Sequence, residues 1–298
     1  MAQAWTEQRE RSNWLALRLL TLTARWCGRH VTRVVLIWPT ALYFVLTAPR
    51  ARRASRAYLS RMLGRRARWW HVWRHFESYG TVSIDRIYIH LAQQHRLRIV
   101  THGVEQFTAA LSQGRGALVL VSHVGSFEVL RALAAHNPDV TLRIVMDRET
   151  GAKANAALEA IGRGETQPVI DTSTADVDRA LRVQNALAAG ELVGLMADRV
   201  QPGERTVDCD FLGGRAPFPA SPWLLAGLTD APVLLAFGVH RGGNRYDLYG
   251  EYFGDNLCLP RGQRMLAANR YAQQYADRLA TYVESAPYNW FNFFDFWY

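Results

Sequence analysis

Between Glu10 and Glu77 the chain carries no acidic residue, yet that stretch holds 14 arginines and, within it, the uncharged 15-residue run VVLIWPTALYFVLTA at positions 34–48. Residues 1–100 contain 18 Arg against four acids (Glu7, Glu10, Glu77 and Asp85), which gives +14. Residues 101–298 hold 17 basic and 22 acidic side chains, which gives −5. The formal charge of +9 is therefore the sum of two unlike parts, a cationic first third and a mildly acidic body. All but Lys153 of the 35 basic residues are Arg, so the excess persists at any working pH. A segment charged in this way seeks an anionic partner, either nucleic acid or an anionic membrane face.

Arg11, Arg18, Arg25, Arg29 and Arg33 are spaced by seven, seven, four and four residues, which stacks them on one face of a helix. Trp14, Leu15, Leu17, Leu19, Leu20, Leu22 and Trp26 occupy the remaining positions. A wide apolar surface with a narrow Arg stripe is the pattern of a helix lying in a bilayer interface. The competing reading is a core-facing helix with solvated arginines. The run at 34–48 is shorter than the ~20 residues that span a bilayer and contains Pro39, so it predicts shallow or re-entrant insertion. A cleavable signal peptide is excluded, because the run starts late and an Arg-rich segment follows it. Arg50, Arg52, Arg53, Arg56, Arg61, Arg65, Arg66, Arg68 and Arg74 are then expected on the cytoplasmic side. Trp69, Trp70, His71 and Trp73 suit base stacking. An apolar run is natural beside a membrane and has no use on a nucleic-acid arm, so the membrane is the expected partner and nucleic acid is not.

The composition, 49% hydrophobic and 20% charged, excludes global disorder. Three widely spaced cysteines exclude a disulfide framework and any Cys-x-x-Cys site, and fit a reducing compartment. From about residue 100, short apolar runs alternate with helical patterns. Strands are predicted at 117–122, 142–146, 168–171, 192–197, 232–240 and 246–253, and helices from near Gly125, at 152–161, 176–189 and 265–285. This predicts an α/β fold, a mixed sheet flanked by helices, with chemistry at the C-terminal ends of the strands. Residues 1–99 read as a basic, membrane-associating helical segment and residues 100–298 as the α/β domain.

His123 ends the strand ALVLVS, and Glu128 follows five residues later at the start of the next helix, with Gly125 to permit the turn. Convergence across that turn would let Glu128 accept the Nδ1 proton of His123 and raise the basicity of Nε2, the geometry of a general base. The competing reading is a capping His and a solvated Glu, and one such pair has little specificity by itself. The spacing places no two metal ligands on one helix face, and no third ligand lies nearby, so no metal is expected. No Gly-x-Ser-x-Gly elbow is present and the cysteines lack a matched base, so a covalent enzyme intermediate is not needed.

His123-x4-Glu128 after an apolar strand, behind an N-terminal apolar helix, resembles the lysophospholipid acyltransferase-like superfamily and, more narrowly, the late acyltransferases of lipid A biosynthesis. The resemblance continues in IVMDR at 144–148, GLMADR at 194–199, FLGGRAPFP at 211–219, and Ala286, Pro287 and Trp290. It implies a glycerolipid acyltransferase-like fold and transfer of a fatty acyl chain from an acyl-carrier-protein or CoA thioester to a lipid hydroxyl, with no further cofactor. It also implies His123 as base, Glu128 as its orienting partner, Arg148 on a phosphate and Asp198 shaping the site. Arg199, where the family often has Gln, is a further candidate for phosphate. Gly213 and Gly214 would bring backbone amides to an oxyanion or phosphate, or form a plain turn. The implied location is the cytoplasmic face of the bacterial inner membrane. Residues 288–298, YNWFNFFDFWY, depart from the basic block of the lipid A enzymes, with eight aromatics in 11 positions. That tail resembles relatives associated with aryl-polyene pigments, which implies a polyene-bearing lipid as an alternative to a lipid A-like acceptor. A tail packed on the core is the competing reading. A non-catalytic membrane-binding protein that retains the fold is the alternative from a different class.

Overall fold

In the computed structural model, which describes residues 14–91, 93–112, 114–134, 137, 140–146, 168–171 and 176–297, helices lead into a mixed sheet. Helix α1 (Trp14–Thr32), kinked at Gly28 where φ is 77°, continues through a π-helical turn at Arg33–Ile37 into α2 (Trp38–Thr47), and α3 (Pro49–Leu63) and α4 (Trp69–His90) follow. Pro39 and Pro49 lie in the first turns of α2 and α3, where a missing N–H costs no hydrogen bond. Gly64 closes α3 in the left-handed conformation. Pro39 thus lies inside a helical stretch, Leu19–Thr47, long and apolar enough to cross a bilayer by length and composition.

Two arginines of the predicted stripe point inward. Arg29 makes a bidentate contact with Asp85 of α4 at 2.6 and 2.8 Å, and Tyr246 donates its hydroxyl to the same carboxylate at 2.7 Å. Arg33 donates to Glu77 at 2.5 Å, and Thr81 adds a second bond to that carboxylate. The two acids between residues 11 and 100 are therefore the ones that receive the helix. Leu22, Trp26, Val31, Val34, Val35, Trp38, Leu42, Tyr43 and Leu46 of these helices are exposed. A large exposed apolar face of this kind marks an interaction surface.

Strand β1 (Arg98–His102) and helix α5 (Glu105–Ser112) precede β2 (Ala117–Gly125), α6 (Glu128–Ala134), β3 (Leu142–Met146) and β4 (Val169–Asp171). Helix α7 (Asp176–Ala188), β5 (Leu192–Met196), the hairpin β6 (Thr206–Phe211) and β7 (Gly214–Pro219), α8 (Ser221–Thr229), β8 (Val233–His240), β9 (Arg245–Gly254) and α9 (Arg264–Ser285) complete the fold. The main sheet has the order β1-β9-β8-β2-β5-β3-β4, with β8 and β9 antiparallel and the other neighbours parallel. Central β2 is buried throughout except at His123, as its continuous apolar run requires. Its even residues Leu118 and Leu120 join one core, with α2, α3, α4 and α9, and its odd residues Ala117, Val119 and Val121 join the other.

The predicted strands all appear, whereas β1, α5, α8 and the β6–β7 hairpin are additions. The hairpin was legible, since TVDCDF alternates polar and apolar and its side chains alternate exposed and buried. The helix predicted at 152–161 lies outside the described residues. Strand β2 runs on to Gly125, later than expected, and α6 begins at Glu128. Gly125 has φ +60, and a Cβ there would lie 1.9 Å from the carbonyl oxygen of Gly238. Only glycine allows β2 to approach β8 so closely after His123.

Candidate active site

The parallel pairing of β2 with β5 ends at Val121 and Met196, and Ala197 donates to the Val121 carbonyl at 3.0 Å. One step further along, the carboxylate of Asp198 takes the place of a strand. Its Oδ2 accepts the backbone N–H of His123 at 2.9 Å, and its Oδ1 accepts from the ring Nδ1 at 2.8 Å. A carboxylate can only accept, so Nδ1 carries the hydrogen and Nε2 keeps its lone pair. The Trp290 indole donates a third bond, 3.1 Å from Oδ2.

Where β5 stops, the C-terminal segment occupies the vacated edge of β2. Gly125 donates to the Asn289 carbonyl at 2.8 Å, Phe291 donates to the His123 carbonyl at 3.1 Å, and Val124 bridges Trp290 in the antiparallel sense. The Asn289 side chain also accepts from the His240 backbone. Asp198 is sealed at 0% side-chain exposure, while the His123 side chain remains 28% exposed. The histidine can therefore meet a substrate that its partner cannot.

Burial pushes the His123 imidazole down, the positive charge of Arg199 adds to that, and Asp198 draws it partly back; it stays below the usual histidine value. Burial alone would raise Asp198, but His123 and Arg199 outweigh it and hold the carboxyl at about 2. At neutral pH the pair is thus a neutral imidazole on an ionised carboxylate, the state a general base requires. Arg199 donates from Nη2 to the Phe291 carbonyl and lies over the Phe294 ring at 5.6 Å, so part of its guanidinium holds the C-terminal segment.

Glu128 does not supply the Nδ1 acceptor expected from the sequence. Its buried carboxylate lies 3.0 Å from Arg86 Nε, 3.1 Å from Arg131 Nη1 and 3.9 Å from His90 Nε2. Burial would raise its pKa, and the Arg86 and Arg131 charges overcome that and lower it. Two guanidinium groups outbid one neutral imidazole for a carboxylate, and β2 continues past His123 instead of turning at it. Asp198, expected only to shape the site, is the acceptor that Nδ1 meets. Gly213 forms a two-residue hairpin turn with Leu212, both at positive φ, and Gly214 opens β7. The Gly213 carbonyl accepts from Arg61 at 3.2 Å. The plain turn is what these glycines provide. Arg148 lies outside the described residues.

Sequence reasoning missed the Trp290 indole as a partner of Asp198, although Ala286, Pro287 and Trp290 stood out as a block. The aromatic tail packs on the core: Trp290, Phe291 and Phe296 are all buried, and Trp297 donates to the Phe211 carbonyl at 2.9 Å.

Sheet and site together describe an α/β fold with a carboxylate-held histidine near the C-terminal end of its central strand, joined to helices with exposed apolar residues. The profile of the bacterial lipid A biosynthesis acyltransferases matches residues 8–297, and the chain belongs to that family and is a lipid acyltransferase. A comparison with curated protein sequences finds no match.

Proposed function

We propose that the enzyme moves a fatty acyl chain from an acyl-carrier-protein thioester to a hydroxyl of a lipid A-like glycolipid, with His123 as general base and Asp198 as its orienting partner. The observation that carries this reading is the 2.8 Å contact between Nδ1 and Oδ1, which leaves Nε2 of a partly exposed ring as the proton acceptor. Nε2 takes the proton of the acceptor hydroxyl as its oxygen attacks the thioester carbonyl. The tetrahedral intermediate then collapses, the carbon–sulfur bond breaks, and the imidazolium returns the proton to the departing thiolate. Asp198 stabilises the imidazolium without itself taking the proton. Arg148, two residues beyond the end of β3, is assigned to a phosphate of the acceptor, for which a guanidinium is the matched fork.

Residues 1–99 are assigned to the cytoplasmic membrane surface, with the exposed apolar face of α1 and α2 in the interface and the arginines of α3 toward anionic headgroups. The arginines inside the helix fit this, since Arg29 and Arg33 are neutralised by Asp85 and Glu77. A polyene-bearing acceptor was suggested by the aromatic tail; because that tail is core material, a glycolipid is the preferred acceptor.

The test is acyl transfer by the full chain in mixed micelles, with acyl-carrier-protein and CoA thioesters offered in parallel and products read by mass spectrometry. Acylated glycolipid from the carrier-protein donor, lost in His123→Ala, is the expected result. Transfer that survives His123→Ala refutes the base assignment. A preference for CoA, or acylation only of a polyene lipid, refutes the donor or the acceptor. Vesicle binding without any transfer by the wild type would favour the non-catalytic alternative.

A further inference from the structure

His75 of α4 is completely buried, and both its nitrogens are engaged. Nδ1 lies 2.9 Å from Ser55 Oγ of α3, and Nε2 lies 2.8 Å from the backbone carbonyl of Trp290. A carbonyl only accepts, so Nε2 carries the hydrogen and the Ser55 hydroxyl donates to Nδ1. Tyr58 of α3, Phe211 and Phe296 pack against the Trp290 ring with centroids 5.1, 5.2 and 4.9 Å away. The same residue that receives His75 on its backbone gives its indole N–H to Asp198.

We infer that Trp290 and His75 are positioning residues for His123: Trp290 fixes the plane of the Asp198 carboxylate and takes up part of its charge, and His75 fixes Trp290. This rests on the reading of His123 as the base. A buried histidine is a costly way to fill space unless its two directed bonds are used, and an apolar side chain would pack there without that cost. The arrangement makes α3 and α4 part of the catalytic apparatus, because their side chains reach Asp198 through one tryptophan. The other titratable groups around the carboxylate are His123, Arg199 and Tyr275 of α9, whose hydroxyl donates to the Val121 carbonyl at 2.9 Å. Substitution at Trp290 or His75 leaves all three in place.

The experiment uses the full chain in detergent with its histidines labelled with nitrogen-15, the His123 signals being assigned by their loss in His123→Ala. Imidazole titration by NMR is read beside the pH dependence of kcat/KM. Removing the indole donor frees charge on Asp198, so Trp290→Phe should raise the His123 titration midpoint and the acid limb of kcat/KM together, by about half a unit. It should also lower kcat roughly 10-fold with little change in KM. His75→Leu should move both readouts in the same direction. His75→Gln, whose amide can donate to the same carbonyl and accept from Ser55, should restore wild-type values. A folded Trp290→Phe protein with an unmoved His123 titration overturns the inference, as does equal behaviour of His75→Gln and His75→Leu. Because the NMR titration needs no turnover, a shift in Trp290→Phe without acyl transfer by the wild type would uphold the positioning and refute the proposed reaction.

Discussion

Asp198 Oδ1 accepts from His123 Nδ1 at 2.8 Å across 75 positions of chain, while Glu128, five positions away, is held by Arg86 and Arg131. The acid close in sequence and the acid close in chemistry are different residues. Asp198→Asn should therefore lower kcat by about 10³- to 10⁴-fold, since an amide fails to hold the productive tautomer. Circular dichroism should show the fold intact. Loss of less than tenfold in a steady-state assay would remove Asp198 from the mechanism.

Glu128→Gln should behave as a stability variant. It leaves Arg86 and Arg131 without their buried counter-charge, at a cost of about 2–4 kcal/mol. The melting temperature should fall by several degrees, with the acid limb of kcat/KM unmoved. An acid limb that shifts with Glu128→Gln would restore that residue to a direct part in the proton transfer.

The pH dependence follows from direction and sign. His123 lies below its ordinary value of 6.5, and only its neutral form accepts a proton. The acid limb of kcat/KM should therefore fall below pH 6.5. His75 and His90 are lowered further, to about 4, mainly by burial. Between pH 6.5 and 4 the unfolded chain binds more protons at these histidines than the folded one, so stability is full above 6.5 and declines as pH falls. Thermal melts across this range should show the decline, and His75→Gln should flatten it. A rate that stays constant down to pH 4 would contradict a histidine base.

Arg29 and Asp85 fasten the first helix to α4 with side chains only 11% and 1% exposed. Asp85→Asn should cost about 3–5 kcal/mol, because the guanidinium is left buried and unpaired. The double variant Arg29→Met/Asp85→Leu should recover most of that loss. If denaturant melts show the double variant no better than the single one, the contact is not an isolated pair and Tyr246 shares its energy.

Trp26, Leu42 and Leu46 stand out from the helical face at 78%, 44% and 67% exposure. Replacing all three with Ser should weaken binding to anionic vesicles at least tenfold, at ~25 cal/mol per Å² of apolar surface withdrawn from water. Melting temperature should hardly change. Undiminished cosedimentation of the triple variant in high salt would show that another surface carries the apolar part of the binding.

The charge partition, the apolar run and the alternation of strands with helices were legible in the sequence, because each is a local periodicity or composition; the strand that carries His123 was legible too, but not that it runs on to Gly125. Nothing local reported which acid would hold the histidine. That was decided where β5 ends beside β2, leaving an edge open for Asp198 and then for residues 289–291. The inward turn of Arg29 and Arg33 was equally hidden, since one-dimensional spacing puts arginines on a common face without saying what that face meets. The aromatic tail announced its composition but not its place, and Trp290 became a ligand of Asp198 only through the packing of α3, α4 and the hairpin around it. The sequence determined most of the elements and the strand on which His123 lies; tertiary structure chose that residue's partners, because hydrogen bonds between distant segments depend on where strands stop and which edges remain unpaired.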